Sequence, residues 1–167
     1  MKLWLIRHAK SDWSSPGVSD FQRPLNARGE RDGPRMATWL TAQDGAADWL
    51  WSSDALRAQQ TAAFVAQAFA ISDGRWAEDH RLYGAGPETL LSVIRETPPD
   101  VLGVAVVAHN PGMTELVNLL AGDNVTGNLP TFGVARFEVS GDWADVNFGC
   151  GHLELLTSPK RLNRDAP

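Results

Sequence analysis

Residues 101–108, VLGVAVVA, form an almost wholly apolar run that stops abruptly at His109. A strand with one wet face alternates apolar and polar side chains. A strand with no polar position has to be covered on both faces. That requirement fixes much of what surrounds it, because whatever sheet holds this segment needs a layer packed on either side.

Two further apolar runs fit the same sheet. Residues 2–6, KLWLI, end at Arg7-His8, and residues 49–51, WLW, end at Ser52-Ser53-Asp54. Helical patterns lie between the strands. Asn26 reads as an N-cap, followed by Met36, Ala37, Trp39 and Leu40 at helical spacing. Gly33-Pro34 interrupts that pattern and implies a kink or a delayed start. Alanine-rich residues 55–70 predict a second helix, with Ser53 or Asp54 as its cap. A short strand is expected over 75–78 and a helix over 87–96, opened by Pro87 and closed by Pro98-Pro99. Another helix follows over 113–121. Strand-like stretches within 134–139 and 146–156 flank a turn at Ser140-Gly141-Asp142. Trp4, Trp39, Trp49 and Trp51 are assigned to the core, and the remaining tryptophans to the surface. Residues 11–25 are rich in Ser, Asp, Pro and Gly and read as a loop, of a length that often serves function. The alternation of strands and helices predicts an α/β fold: a three-layer α/β/α sandwich with a mostly parallel central sheet.

With no internal repeat or linker, the 167 residues are expected to form one domain, 1–167. At this size roughly two-thirds of the unfolded surface can be buried without disulfides or metals. The one cysteine, Cys150, has no partner for a disulfide and no zinc-type spacing around it; flanked by two glycines, it reads as a tight backbone position rather than a reactive thiol. The apolar run at the N-terminus is too short for a signal peptide, and no stretch approaches the ~18 residues that span a membrane. A cytoplasmic location is expected. The net charge of −5 disfavours nucleic acid as a partner, so any anion must be met by a local concentration of cations.

Such a concentration is expected at one edge of the sheet. In open α/β sheets ligands bind beyond the C-terminal ends of the strands. Here the first strand ends in Arg7-His8, the second leads to Arg57 one turn into a helix, and the fourth ends in His109. Taken singly, an Arg-His pair is a solvated strand end, Arg57 a surface helix residue and His109 a loop histidine. Their convergence at one predicted edge points to a site. Guanidinium groups match phosphate oxygens in planar pairs, and a protonated histidine adds further neutralisation. A neutral imidazole aimed at phosphorus can act as nucleophile if its other ring nitrogen is held as N–H. No metal or cofactor is called for, because the arginines supply the positive charge.

Three ordered segments, LIRHAKSDW, SSDALRAQQTA and VVAHNPG, resemble the signature of the histidine phosphatase superfamily, which includes the cofactor-dependent phosphoglycerate mutases. The first motif reads Arg7-His8-Ala9 where Arg-His-Gly is usual. RHAKSDW, RPLNARGE and the C-terminal PKRL are most similar to the SixA-type phosphohistidine phosphatases. The resemblance implies a phosphoglycerate mutase-like fold and a phosphatase. His8 would be the nucleophile that becomes phosphorylated, Arg7 and Arg57 would clamp the phosphoryl oxygens, and His109 would donate a hydrogen bond to the same group. Asn110 would start a helix near the site, and Arg23 and Asn26 would lie near the pocket. Lys10, Ser11 and Trp13 follow the nucleophile directly and either shape the pocket entrance or are loop residues without a role. Lys10 and Ser11 are carried as candidate phosphate-binding residues.

The sequence departs from the superfamily at one informative place. Many members carry a glutamate two residues beyond a leucine as proton donor to the leaving oxygen; the matching stretch here is Arg81-Leu82-Tyr83, followed by Gly84. A general acid contributes ~10²–10⁴-fold for a poor leaving group. Imidazole departs from phosphorus more readily than an alkoxide, and SixA-type enzymes also lack the carboxylate. Glu78, Asp79 and His80 are nearby substitutes, with Asp79 read first as a turn residue; His80 and His152 have no evident convergent partners. Three readings follow: dephosphorylation of phosphohistidine on a protein, the same chemistry on a small phosphomonoester, or a non-catalytic phosphate-binding module. The short chain leaves little material for a lid, so an open pocket is expected. Oligomeric state is not legible.

Overall fold

The computed structural model describes residues 1–164. Six strands alternate with helices: β1 (Lys2–Arg7), α1 (Ala27–Thr41), β2 (Trp49–Ser52), α2 (Leu56–Phe69), β3 (Trp76–Glu78), α3 (Pro87–Arg95), β4 (Gly103–Ala108), α4 (Gly112–Ala121), β5 (Val134–Glu138), β6 (His152–Thr157) and α5 (Pro159–Arg164). They form one sheet in the order β3-β2-β4-β1-β5-β6. β3, β2, β4 and β1 run parallel to their neighbours, whereas β5 and β6 pair antiparallel. The mostly parallel α/β/α sandwich is therefore present, with an antiparallel edge.

Period-two alternation along β1 divides the core. Leu3 and Leu5 face a cluster with Leu90, Ile94, Leu116 and Leu120 of α3 and α4. Trp4 and Ile6 face the opposite cluster, with Met36 and Leu40 of α1 and Ala58, Ala62 and Val65 of α2. β4 is buried at every position, as its unbroken apolar run requires. Trp4 and Trp51 are core residues, while Trp39 and Trp49 only pack against the core's margins. Trp143 corrects the tryptophan assignment: it is fully buried, and its indole N–H donates to the Val101 carbonyl at 2.8 Å. The hydrogen bond lets a polar ring lie inside without loss.

Two helix starts differ in how well they follow local chemistry. Asn26 caps α1, its side-chain oxygen accepting from the Gly29 N–H at 3.0 Å. The helix runs on through Gly33-Pro34 with neither a delay nor a break in its assignment. Gly33 is there for closeness: a Cβ would lie 2.3 Å from the Phe64 ring of α2. α2, by contrast, is preceded by Ala55 in the cap position, not by Ser53 or Asp54, and has no side-chain cap. Ser53 has a different engagement, described below.

Register sets the position of the site. Arg7 pairs with Ala108 across β1 and β4, and Ser52 pairs with Val107 across β2 and β4. The residues that follow, His8, His109 and Ser53, thus leave the sheet at the same edge.

Candidate active site

His8 leaves β1 with its backbone still tied to the sheet: its N–H donates to the Ala108 carbonyl at 3.0 Å, and its carbonyl accepts from Phe132 at 3.1 Å. The next residue is fixed from α2. The Ala9 N–H donates to Thr61 Oγ1 at 2.9 Å, and the Thr61 hydroxyl donates to the Arg57 carbonyl at 2.7 Å. One buried hydroxyl therefore couples the His8 turn to the first turn of the helix that carries Arg57.

The imidazole itself is 6% exposed and lines a cavity of ≈ 460 Å³. Its Nδ1 lies 2.7 Å from the Ala9 carbonyl, an acceptor only, so Nδ1 carries the proton and Nε2 keeps its lone pair. Burial, reinforced by His109 and the arginines, pushes His8 down to about 3. It is neutral over the whole physiological range.

His109 sits beside it, ring centroids 5.1 Å apart. Its Nε2 is 2.8 Å from Ser53 Oγ, which also accepts from the Ala55 N–H at 3.2 Å. Nε2 is the one acceptor within reach of the Ser53 hydroxyl proton among the described residues, so that proton goes to Nε2, which leaves Nδ1 as the N–H of a neutral ring. Burial foremost, then Arg57, holds His109 down to about 4. The expectation of a protonated histidine is thus corrected for the free protein, though a neutral Nδ1–H still donates. This pairing also explains why Ser53 does not cap α2.

Of the residues lining the cavity, three keep a buried nitrogen with no partner among the described residues: Nδ1 of His109, Nε of Arg7 and Nε of Arg57. Buried polar groups are rarely left unpaired, and unpaired ones cluster where a ligand completes them. Arg7 is fixed by donation from Nη1 to the Leu129 carbonyl at 2.9 Å. Burial lowers its pKa, but from a value so high that it stays charged.

Residues 11–25 contribute one wall of the cavity. Their ends are clasped by an isolated antiparallel bridge between Ser11 and Leu25 and by the Asn26 N–H to the Lys10 carbonyl at 3.0 Å. Lys10, Ser11, Trp13, Asp20 and Arg23 all line the cavity. The Ser11 hydroxyl is occupied by Arg23 Nη1 at 2.6 Å, so Ser11 positions a cation. Trp13 is 73% exposed and lies under the Arg23 guanidinium, 3.5 Å from ring centroid to Cζ. Asn26 does not line the cavity; its side chain caps α1. Asn110 does, and its side-chain oxygen accepts from the Thr114 N–H near the start of α4 at 3.2 Å.

Asp20 and Tyr83 are the residues that sequence reasoning missed. Asp20 lies in a 3-10 turn, Asp20–Gln22, and gathers the cations of the wall. Arg57 donates Nη1 to its carbonyl at 2.6 Å and Nη2 to its carboxylate at 3.1 Å; Arg23 donates at 3.0 Å and the Tyr83 hydroxyl at 2.6 Å. The hydrogen bond from Tyr83, then Arg23 and Arg57, holds the carboxyl down at about 2. The Arg57 fork is therefore engaged rather than open. The acidic spacing Asp20-x-x-Arg23 was the available signal.

Gly84 lines the cavity where a glutamate was looked for, with φ of +67°, a backbone that disfavours such a side chain. Its substitutes lie elsewhere. Asp79 pairs with Arg81 at 2.7 Å, Glu78 with Gln59 at 2.9 Å, and His80 with Asp54 at 2.9 Å. None of the three lines the cavity. His80 thus has a partner after all, outside the site. Cys150 is exposed, its sulfur accepting from the Asn147 N–H. No helix among the described residues is long and apolar enough to cross a membrane.

Comparison with known proteins places this geometry. The sequence profile of the histidine phosphatase superfamily (branch 1) matches residues 3–82. An uncharacterised protein of Mycobacterium tuberculosis is 36% identical over 164 residues, covering 93% of this chain and 100% of that one. Among solved structures, a provisionally assigned phosphohistidine phosphatase SixA from Nakamurella multipartitia superposes with a TM-score of 0.81 at 28% identity, covering 95% of both chains. A second protein so assigned, from Agrobacterium tumefaciens, gives 0.80 at 28% identity over 95% of this chain and 97% of that one.

Proposed function

The chain belongs to the histidine phosphatase superfamily, and from that premise we propose that it removes phosphoryl groups from phosphohistidine on a protein, through a covalent phosphohistidine at His8 and without a metal. The observation that carries the reading is the His8 tautomer: Nδ1–H is pinned to the Ala9 carbonyl and Nε2 is unprotonated at the cavity. A buried neutral imidazole with a fixed tautomer is what nucleophilic attack on phosphorus needs.

The roles follow from the donors. Arg7, Arg57 and His109 line the cavity, and each keeps a buried nitrogen without a partner among the described residues, capacity that a bound oxyanion would take up. The phosphoryl group passes to His8 Nε2, and water then attacks phosphorus and releases the imidazole. Lys10 and Arg23 add positive potential at the rim. A cytoplasmic site of action fits the same reading, since such substrates are made by cytoplasmic signalling chemistry.

A small phosphomonoester is the rival substrate, and a carboxylate within reach of the pocket counts in its favour; Asp20 is such a carboxylate. Asp20 is held at about 2, so it carries no proton at neutral pH. With Asp20 ionised the cavity offers no carboxylic acid to an alkoxide, which keeps the phosphohistidine reading ahead. The test is a panel in which a ³²P-phosphohistidine protein and common phosphomonoesters are offered to wild type and His8→Ala. Transfer of label to wild type, its absence in His8→Ala, and preference for the phosphohistidine protein are expected. Label that never reaches the enzyme, or equal turnover of both variants, rejects the proposal.

A further inference from the structure

A carboxylate in the wall of an anion-binding cavity needs a reason to be there. Asp20 repels the phosphate it stands beside, and its carboxylate competes for Arg57. Its side chain is nonetheless 48% exposed at the cavity, with Oδ1 accepting from Arg23 and Oδ2 from Arg57 and Tyr83. A carboxylate without a proton acts solely as an acceptor. The ligand that makes an acceptor useful here is one that presents phosphate and an adjacent N–H cation together.

We propose, resting on the phosphohistidine reading, that Asp20 selects N-phosphoryl over O-phosphoryl substrates by accepting a hydrogen bond from the second ring nitrogen of the substrate's protonated phosphoimidazole. The chemistry balances without an acid. A phosphoimidazolium carries phosphorus on one ring nitrogen and a proton on the other. As His8 Nε2 forms its bond to phosphorus, the old P–N bond breaks and its electron pair returns to the departing ring. That ring leaves as neutral imidazole, keeping the proton it already had. An alkoxide in the same place has no such proton and needs a donor, which neither Gly84 nor ionised Asp20 provides.

The second half-reaction mirrors the first. His8 attacks with Nδ1 protonated, so its phosphorylated form is itself an imidazolium, with Nδ1–H bonded to the Ala9 carbonyl. Water attacks phosphorus, loses its proton to solvent, and His8 returns as neutral imidazole. A carbonyl oxygen serves the enzyme's imidazole as the Asp20 carboxylate serves the substrate's.

Substrate entry also closes the hydrogen-bond account at Asp20. When the phosphoryl oxygens draw Arg57 away, the carboxylate loses one donor, and the imidazolium N–H replaces it. The charged and titratable groups facing this position are Arg57 from α2, Arg23 from the wall, Tyr83 from the segment before α3, and Lys10, Arg7, His8 and His109 around the cavity. Asp20 is the one carboxylate among the residues lining this cavity. A cationic leaving group has no other anion to meet.

The test compares kcat and kcat/KM for phosphoimidazole and for p-nitrophenyl phosphate between about pH 5 and 9 in wild type and Asp20→Asn. A hydrogen bond to a charged group accounts for roughly ten- to hundredfold. The ratio of the two specificity constants should fall by that factor in Asp20→Asn, and the alkaline limb of kcat for phosphoimidazole should move to lower pH. Asp20→Glu, which keeps the charge, should restore part of the ratio. If Asp20 only positions Arg57, both substrates fall equally and the limb stays, which overturns the proposal. The wild-type kcat profile alone also decides: its alkaline limb for phosphoimidazole, set in the enzyme–substrate complex, should lie above the pKa of the free compound, and coincidence with that pKa overturns the proposal. Wild type that cleaves p-nitrophenyl phosphate through His8 but neither phosphoimidazole nor a phosphohistidine protein overturns this inference and the proposed function together.

Discussion

Thr61 sits in the second turn of α2 with its hydroxyl between two backbone groups, the Ala9 N–H and the Arg57 carbonyl. Thr61→Val keeps the shape and removes the acceptor, leaving a buried N–H unpaired at a cost of about 1–3 kcal/mol. Urea denaturation should register that loss, and kcat should drop because the carbonyl that sets the His8 tautomer belongs to the same residue. The two histidines also predict a pH dependence of stability. Both have folded values below the ordinary 6.5, about 3 for His8 and about 4 for His109, because burial disfavours the charged ring. The unfolded chain therefore binds more protons as pH falls below 6.5, and stability declines progressively toward the folded values. Asp20 acts later: its contribution is present above 3.8 and is lost as pH falls toward 2. Denaturation midpoints measured down the pH scale should fall first with the histidines. Replacing His8 and His109 by glutamine should flatten that first segment while leaving the second.

α1 touches the site through Gly29, where a Cβ would lie 2.2 Å from the Lys10 carbonyl oxygen. Helix propensity favours alanine over glycine by about 1 kcal/mol, yet backbone cannot step aside as a flexible side chain can. Gly29→Ala should lower both thermal stability and activity, because the displaced segment carries His8 at one end and Ser11 at the other. Gly86→Ala is the matched control, with no atom within 4 Å of its added Cβ; calorimetry should show a much smaller change there. The same elements show what was legible in the sequence. The cap at Asn26 was readable because a cap is local, its donor three residues away. Ser53 was misread because its partner is His109, 56 residues on. Asp20 and Tyr83 meet across 63 residues, and neither has a neighbour in sequence that announces the other. Strand ends carried Arg7, His8 and His109 into view because apolar runs stop sharply there. The wall had no such signal, being a loop whose shape follows from contacts rather than periodicity.

Taken whole, the molecule should respond to an anion as a ligand that binds only the folded state. Orthovanadate at a hundred times its Kd adds about 2.7 kcal/mol, which for a chain of this size is roughly 5–10 °C in Tm. Differential scanning fluorimetry should show that rise in wild type and its loss in Arg57→Ala, where the cavity lacks one of its three guanidinium groups. The sheet order carries one more consequence. β2, β4 and β1 lie side by side, so residues from near the start, from just past residue 50 and from just past residue 105 meet at one edge. No contiguous fragment owns a working share of that edge. A nick or partial melting anywhere between β1 and β4 should silence turnover outright instead of grading it, so heat inactivation and the loss of near-ultraviolet dichroism ought to trace a single curve: enzyme assays on this protein count intact molecules.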